Sequence, residues 1–428
     1  MIEQFTVSNF YSIREAQTLS FIPSRDDSMK EYYTHEICSD VRLLKIGIVY
    51  GSNASGKSNM LMALDYFKHL MTERPSSRAE TLEFLPFLLD KNSRDEHSKM
   101  EMSFYLNAER YLLSVEFDSK RIYHEALKVY ENRRPSIIYT RIYDNDKDQS
   151  IVSFGQKAHL KKSSQKTITG ITINNCCVLA AFGQSNVEIS RLNDVYNYFI
   201  HGIQNRLQPQ MSMINYVKKR LKNDQNNEIK QFILKVLKAS DFNITDFTLE
   251  EAETSLPADV EKAIKRREIN DAITQAHTEN LSFTNNLLFT HSVDNGNFPL
   301  NESVESQGTK RFMGMAMFLY ELIKQNKTIL IDEAESSIHY ELLAYFIKLF
   351  LANSHGTAQL LITTHDINLL DEDFIRRDII WFTDKDESGV TKLNRLSGLG
   401  LHKTLSPYNA YRQGKLSNLP FLGSIFLN

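Results

Sequence analysis

Apolar positions along the chain follow two periods, and the places where one gives way to the other divide it. Alternation every second residue predicts strands at 2–7 and 17–22, around a turn at Asn9-Phe10-Tyr11-Ser12. Residues 24–40 are polar and rich in Asp and Ser, which predicts a loop. A continuous apolar run at 44–50 is of the buried-strand type. Directly after it Met60, Leu61, Ala63, Leu64, Phe67, Leu70 and Met71 repeat at helical spacing. Four alternating or β-branched runs, 100–106, 110–117, 121–130 and 137–143, are separated by turn-type residues and predict an antiparallel meander. Residues 144–166 are charged and predict a mobile hairpin or loop, while 168–173 and 176–182 resume strand or buried character.

The texture changes after residue 186. Leu192, Val195, Tyr196, Phe199 and Ile200 keep helical spacing, and so do Ile229, Phe232, Ile233, Val236 and Leu237. Residues 187–280 are therefore expected to be a helical insertion between an N-terminal half, 1–186, and a C-terminal half, 281–428. Basic residues collect in the insertion: Lys218, Lys219, Arg220 and Lys222, then Lys262, Lys265, Arg266 and Arg267. They read either as solvated helix faces or as a surface for nucleic acid or a partner. Beyond 280 strand character returns, with apolar runs at 328–331 and 359–363 and sheet-like patterning at 381–396.

Candidate chemistry sits where these runs end. Gly51-Ser52-Asn53-Ala54-Ser55-Gly56-Lys57-Ser58 fits G-x-x-x-x-G-K-[ST], the phosphate-cradling loop, between a predicted strand and a predicted helix. The backbone N–H groups from Gly51 through Asn59 and the positive end of the helix dipole are expected to hold a polyphosphate. Lys57 would reach the β- and γ-phosphates, and the Ser58 hydroxyl would ligate Mg²⁺. The strand at 328–331 ends in Asp332-Glu333. Asp332 is expected to hold Mg²⁺ through its water shell, and Glu333 to polarise an attacking water. Ser306-Gln307-Gly308 heads an apolar helical run and makes a second anion site at a helix N-terminus. The run at 359–363 continues through Thr364 to His365, suited to touch a γ-phosphate. Ser306 alone could merely cap a helix, and His365 alone could be an ordinary strand-end histidine. Their order behind the phosphate loop joins them to it.

Composition narrows the setting. With 428 residues, 42% hydrophobic and 24% charged, the chain can bury two or three packed units. A net charge of −3 gives no global polycation field for nucleic acid. The three cysteines, Cys38, Cys176 and Cys177, form neither a disulfide framework nor metal-ligand spacing. No apolar run approaches a membrane span, and residues 1–20 lack the form of a signal peptide, so a soluble cytoplasmic protein is expected.

In this order the motifs resemble those of the ABC-type P-loop ATPases, especially the SMC, RecF and OLD-like branch. Residues 51–58 match Walker A, Ser306-Gln307-Gly308 the signature, Asp332-Glu333 Walker B and His365 the switch histidine. Glu335-Ser336-Ser337-Ile338-His339 is similar to the D-loop of OLD-like members, although Gln307, Thr309 and Tyr340 depart from common family residues. The terminal Tyr411-Arg412-Gln413-Gly414-Lys415 and Pro420 resemble the end of stand-alone ATPases of prokaryotic phage-defence systems of the PARIS kind. The resemblance covers 1–185 and 285–428. It implies an α/β fold: an ABC-type head with a mixed sheet flanked by helices, an antiparallel β lobe and the helical insertion. It also implies ATP and Mg²⁺ as cofactors, Lys57, Glu333 and His365 as catalytic residues, and Ser306 and Gly308 completing the ATP site of a partner subunit in a head-to-tail homodimer or higher homo-oligomer. The stretch after His365 is expected to be too short for a Toprim nuclease domain. The expected role is an anti-phage sensor controlling a separate toxin or Toprim-type nuclease, triggered by phage or DNA, with no membrane. The alternative is a RecF- or SMC-like ATPase of DNA repair or chromosome maintenance.

Overall fold

Strand β1 (Ile2–Ser8) is followed by its antiparallel neighbour β2 (Gln17–Ser20), as the alternation predicts. The computed structural model describes residues 1–131, 134–250, 286–294, 296–402 and 405–417. Residues 24–40, expected as a loop, instead hold one helical turn, α1 (Lys30–Tyr33), and strand β3 (Thr34–Cys38), which forms a hairpin with β4 (Val41–Leu44) just beyond. The apolar anchor in this polar stretch is Tyr33, buried beneath the Arg376 guanidinium 5.5 Å from its ring centroid. Next come β5 (Ile46–Tyr50), with all five residues buried, and the amphipathic helix α2 (Lys57–Thr72). Phe67 of α2 meets Phe5 and Phe199 edge-on at 5.7 and 5.9 Å.

The meander forms as expected from β6 (Ser98–Leu106), β7 (Glu109–Phe117), β8 (Ile122–Glu131) and β9 (Arg134–Asp144). A hairpin strand, β10 (Gln149–Phe154), extends it, and the seven-stranded antiparallel order is β10-β9-β8-β7-β6-β1-β2. Residues 168–182 are largely buried, but they form no strand: 168–171 end helix α3 (Lys162–Ile171), 172–177 turn, and 178–182 lie in helix α4 (Val178–Gly183). Short apolar runs do not distinguish a buried strand from a buried helix. Here the buried Glu125 carboxylate accepts the Val178 N–H at 2.8 Å and so satisfies a donor of the first turn of α4. Helix α5 (Ser190–Asn197) continues into a π-turn, Tyr198–Gly202.

A second sheet, in the order β14-β15-β5-β16-β17, joins β5 to β14 (Thr328–Ile331), β15 (Gln359–Thr363), β16 (Ile380–Lys385) and β17 (Thr391–Arg395). Its first four strands are parallel, and every residue of β5, β14 and β15 is buried, the pattern of a parallel sheet covered on both faces. Parallel strands share one C-terminal edge, so residues 51–58, Asp332-Glu333 and Thr364-His365 all leave the sheet there. Residues 203–207 run beside β14. The Gln204 N–H donates to Thr328 O at 2.8 Å and the Leu207 N–H to Leu330 O at 2.9 Å.

The described residues divide into two compact units. The first takes its residues from 1–209, 322–335 and 350–428 and contains both of these sheets. The second takes 210–321 and 336–349. It holds α6 (Met213–Leu221), α7 (Glu228–Ala239), the antiparallel sheet β11 (Ile244–Glu250), β12 (Asn286–Val293) and β13 (Gly296–Asn301), most of α8 (Gln307–Gln325), and the start of α9 (Tyr340–Asn353). Strand β11 interrupts a stretch expected to be helical throughout. The basic cluster at 218–220 is also less exposed than expected. Lys218 is buried and pairs with Glu302 at 2.5 Å, and Arg220 pairs with Glu321 at 3.3 Å, which leaves Lys219 to solvent. Lys262, Lys265, Arg266, Arg267 and Pro420 lie outside the described residues. Among the described residues no helix is long and apolar enough to cross a membrane.

Candidate nucleotide site

The phosphate loop is shaped by two glycines and braced from two strands. A Cβ on Gly51 would lie 2.4 Å from both Ser55 Oγ and Thr383 Oγ1, so only glycine fits there. Ala54 and Gly56 take left-handed conformations, φ 63° and 102°. Ser55 Oγ and Thr383 Oγ1 are 2.7 Å apart, and Thr391 Oγ1 donates to Ser55 O at 2.9 Å. From the other side Ser12 Oγ accepts from Asn59 Nδ2 at 2.6 Å and lies 2.6 Å from Thr391 Oγ1. Lys57 opens α2 and folds back over the loop, donating to Gly51 O at 2.8 Å and Ser52 O at 3.1 Å. Burial pushes its ammonium pKa down, against the opposing pull of Glu335, Glu333 and Asp332, in that order. An ammonium held by carbonyls it can exchange, with three carboxylates favouring its charge from farther off, is suited to meet a phosphate.

The acidic side of the site is a short hydrogen-bonded chain. Asp332, buried at the end of β14, accepts through Oδ1 from Ser58 Oγ at 3.0 Å and from Thr363 Oγ1 at 2.5 Å. The same Thr363 hydroxyl accepts the Glu333 N–H at 2.8 Å and so links the two acids. Glu333 is in the left-handed region, φ 47°, a conformation that costs a non-glycine residue free energy and turns the chain sharply off the strand. Arg206 Nη1 donates to the remaining oxygen, Asp332 Oδ2, at 2.7 Å. His365 is half exposed; its backbone N–H and its Nδ1 both face Glu335 Oε1, at 2.8 and 2.7 Å. Hydroxyl and carboxylate oxygens meeting at Ser58 and Asp332 suit a hard cation such as Mg²⁺. Among the described residues no group of three or more His, Cys, Asp or Glu could hold a metal, so such an ion would complete its shell with phosphate oxygens and water.

Ser306 and Gly308 belong to the second unit. Ser306 Oγ accepts the Thr309 N–H at 3.0 Å and caps α8. A Cβ on Gly308 would approach Ser337 O to 3.1 Å, so the start of α8 runs close to the 335–339 turn, where Ser337 is left-handed at φ 63°. His339 is exposed beside Tyr340.

Thus Lys57, Ser58, Asp332, Glu333 and His365 gather at one sheet edge in the first unit, with Glu335 beside them. The sequence reading missed Arg206, Ser12, Thr383 and Thr391 and gave no role to Thr363. Only Thr363 carried a signal, since it closes the strand leading to His365. The others reach the site from remote parts of the chain with no motif of their own.

The family model described as "AAA domain, putative AbiEii toxin, Type IV TA system" matches residues 48–371. No curated protein matches the chain. Among solved structures it is similar to the SMC head domain from Thermotoga maritima, at 12% identity and TM-score 0.41, covering 92% of this chain and 98% of that one. It is also similar to an SMC head bound to the C-winged helix domain of ScpA, at 11% identity and TM-score 0.44, covering 96% and 99%. A third is an SMC head with an extended coiled coil, bound to the C-terminal domain of ScpA derived from Pyrococcus furiosus, at 14% identity and TM-score 0.37, covering 96% and 98%.

Proposed function

The chain belongs to the AAA-domain family matched over residues 48–371, and on that premise we propose that it is a Mg²⁺-dependent ATPase working as a head-to-tail homodimer or higher homo-oligomer. The observation that carries this reading is the run Ser58–Asp332–Thr363–Glu333, bonded end to end at the mouth of the phosphate loop. The N–H groups from Gly51 to Asn59 bind the phosphates, and Lys57 exchanges the carbonyls of Gly51 and Ser52 for phosphate oxygens. Ser58 and Asp332 hold the cation, which when bound offsets the charge of the phosphates. Glu333 takes a proton from the attacking water. His365, oriented by Glu335, donates toward the γ-phosphate. Ser306 and Gly308 complete the site of a partner subunit, with the Ser306 hydroxyl exchanging its cap for that phosphate.

The family's description names a toxin of a toxin–antitoxin system. That description places the toxin in the matched family itself; the resemblance to phage-defence ATPases is what supports a sensor that holds or releases a separate effector, a toxin or Toprim-type nuclease, according to nucleotide state. Lys57→Ala loses phosphate binding, and Ser306→Arg blocks the trans face, so each alone is inactive. Mixed, they form heterodimers with one intact composite site, and phosphate release partly recovers. Absence of recovery at every mixing ratio means that the sites do not act in trans or that one intact site is insufficient, and a nucleotide-bound structure with Ser306 far from any γ-phosphate decides for the former. The effector is tested by expressing the chain with and without its neighbouring gene during phage challenge. Full protection by the chain alone removes it, and strong stimulation of turnover by DNA turns the reading toward repair or chromosome maintenance.

A further inference from the structure

Arg206 has no role in the reading above, yet it occupies the most consequential atom of the site. Its Nη1 lies 2.7 Å from Asp332 Oδ2, while Ser58 and Thr363 take Oδ1. The backbone beneath it is fixed. The Arg206 N–H donates to Asp65 Oδ1 at 2.9 Å, and the next residue is stitched into β14 on both sides, Leu207 N–H to Leu330 O and Asp332 N–H to Leu207 O, each at 2.9 Å. Only the side chain is free to change place, and it is incompletely satisfied where it is, since its buried Nε has no hydrogen-bond partner. Next to it opens a cavity of about 300 Å³, lined by Arg206 itself, by the carboxylates of Asp65 and Glu83, and by the rings of Phe10, Tyr11 and Tyr66. Carboxylates with aromatic faces are what a displaced guanidinium needs: ion pairing, planar hydrogen bonding and cation–π contact. Glu83 and Arg206 already act together on the Tyr11 hydroxyl, the first raising its pKa and the second lowering it, after burial as the main cause of its rise.

We propose that Arg206 competes with Mg²⁺ for Asp332, and that the cavity between Arg206 and Glu83 receives the guanidinium when the cation takes its place. This rests on reading Asp332 as the cation-binding carboxylate. A guanidinium and a divalent cation on one carboxylate repel at short range, so binding of one expels the other. The affinity seen for Mg²⁺-nucleotide is then reduced by the fraction of time Arg206 holds Asp332. An arginine seated there nine-tenths of the time lowers the affinity about ten-fold.

The experiment measures affinity for a fluorescent ADP with Mg²⁺ and with EDTA, so that no turnover enters; the ratio is the Mg²⁺ increment. Arg206→Ala raises the increment about ten-fold, Arg206→Lys falls between it and wild type, and Glu83→Gln, which weakens the receiving seat, lowers it. A merely structural arginine cannot give opposite signs at 206 and 83. Asp332→Asn removes the increment. If it does not, the cation reading of Asp332 fails and the gate falls with it. If Asp332→Asn removes the increment while Arg206→Ala leaves it unchanged or lowers it, the competition alone is overturned. Should Arg206→Ala not fold, Arg206→Lys and Glu83→Gln decide, and an unchanged increment in both overturns the proposal.

Discussion

Replacing Thr363 by valine keeps the shape of the side chain and removes one hydroxyl that makes two bonds. The hydroxyl donates to the Asp332 carboxylate at 2.5 Å and accepts the Glu333 N–H at 2.8 Å, and Thr363 is fully buried. A hydrogen bond to a charged group contributes about 1.5–3 kcal/mol, and a buried donor left unpaired costs about 1–3 kcal/mol. Asp332 keeps Ser58 and Arg206 as donors, so the carboxylate is not stranded, and the expected loss is about 2–4 kcal/mol. The protein carries its own probe. Its single tryptophan, Trp381, sits in β16 of the same sheet, buried beneath Arg395. Urea unfolding followed by Trp381 fluorescence reports that sheet without requiring the two units to unfold together. The midpoint falls at unchanged slope in Thr363→Val, and Thr363→Ser recovers most of it. A loss under about 0.5 kcal/mol in Thr363→Val, within the range of an inconsequential substitution, would refute the idea that this hydroxyl ties the two acids together.

Three further outcomes follow from single contacts. Gly51→Ala puts a methyl 2.4 Å from Ser55 Oγ and Thr383 Oγ1, so the loop opens; affinity for a fluorescent ATP analogue falls at least about ten-fold, and wild-type affinity contradicts the geometry. At pH 8 iodoacetamide labels only exposed Cys38, because burial pushes the Cys176 thiol up to about 12 and Cys177 well above its usual value; mass spectrometry finds one adduct on the folded chain and three in denaturant. Lys218→Ala removes the cation paired with the partly buried Glu302 carboxylate, which keeps the Leu287 N–H, and costs about 1–3 kcal/mol in a circular-dichroism melt, while Lys219→Ala costs almost nothing; equal effects would restore both to a solvated face.

What could be read from the sequence was whatever is contiguous. The phosphate loop, the Asp332-Glu333 strand end and the strand before His365 each carry pattern and chemistry within about ten residues, because a parallel sheet puts loop chemistry directly after an apolar run. The braces are not contiguous. Thr391 lies 336 residues from Ser55, and Arg206 lies 126 from Asp332, brought there by pairing beside β14 that leaves no periodic trace in a polar stretch. Residues 176–182 were ambiguous for another reason: an apolar run that short fits either a buried strand or a buried helix, and a remote carboxylate, Glu125, helps to decide it. The same distance effect hid the pairing of Lys218, since its partner Glu302 is 84 residues away.

The central claim is that Glu333 acts on water while Lys57, Ser58 and Asp332 hold the nucleotide. Glu333→Gln tests it most directly, because the amide keeps the size of the side chain and the backbone bond to Thr363, and only the basic oxygen is lost. Phosphate release and bound nucleotide are measured on the same sample, by a phosphate sensor and by filter retention of radiolabelled ATP. The account predicts that release falls about 10²–10⁴-fold while ATP remains bound at wild-type occupancy. Undiminished release, or release and binding lost together, contradicts it.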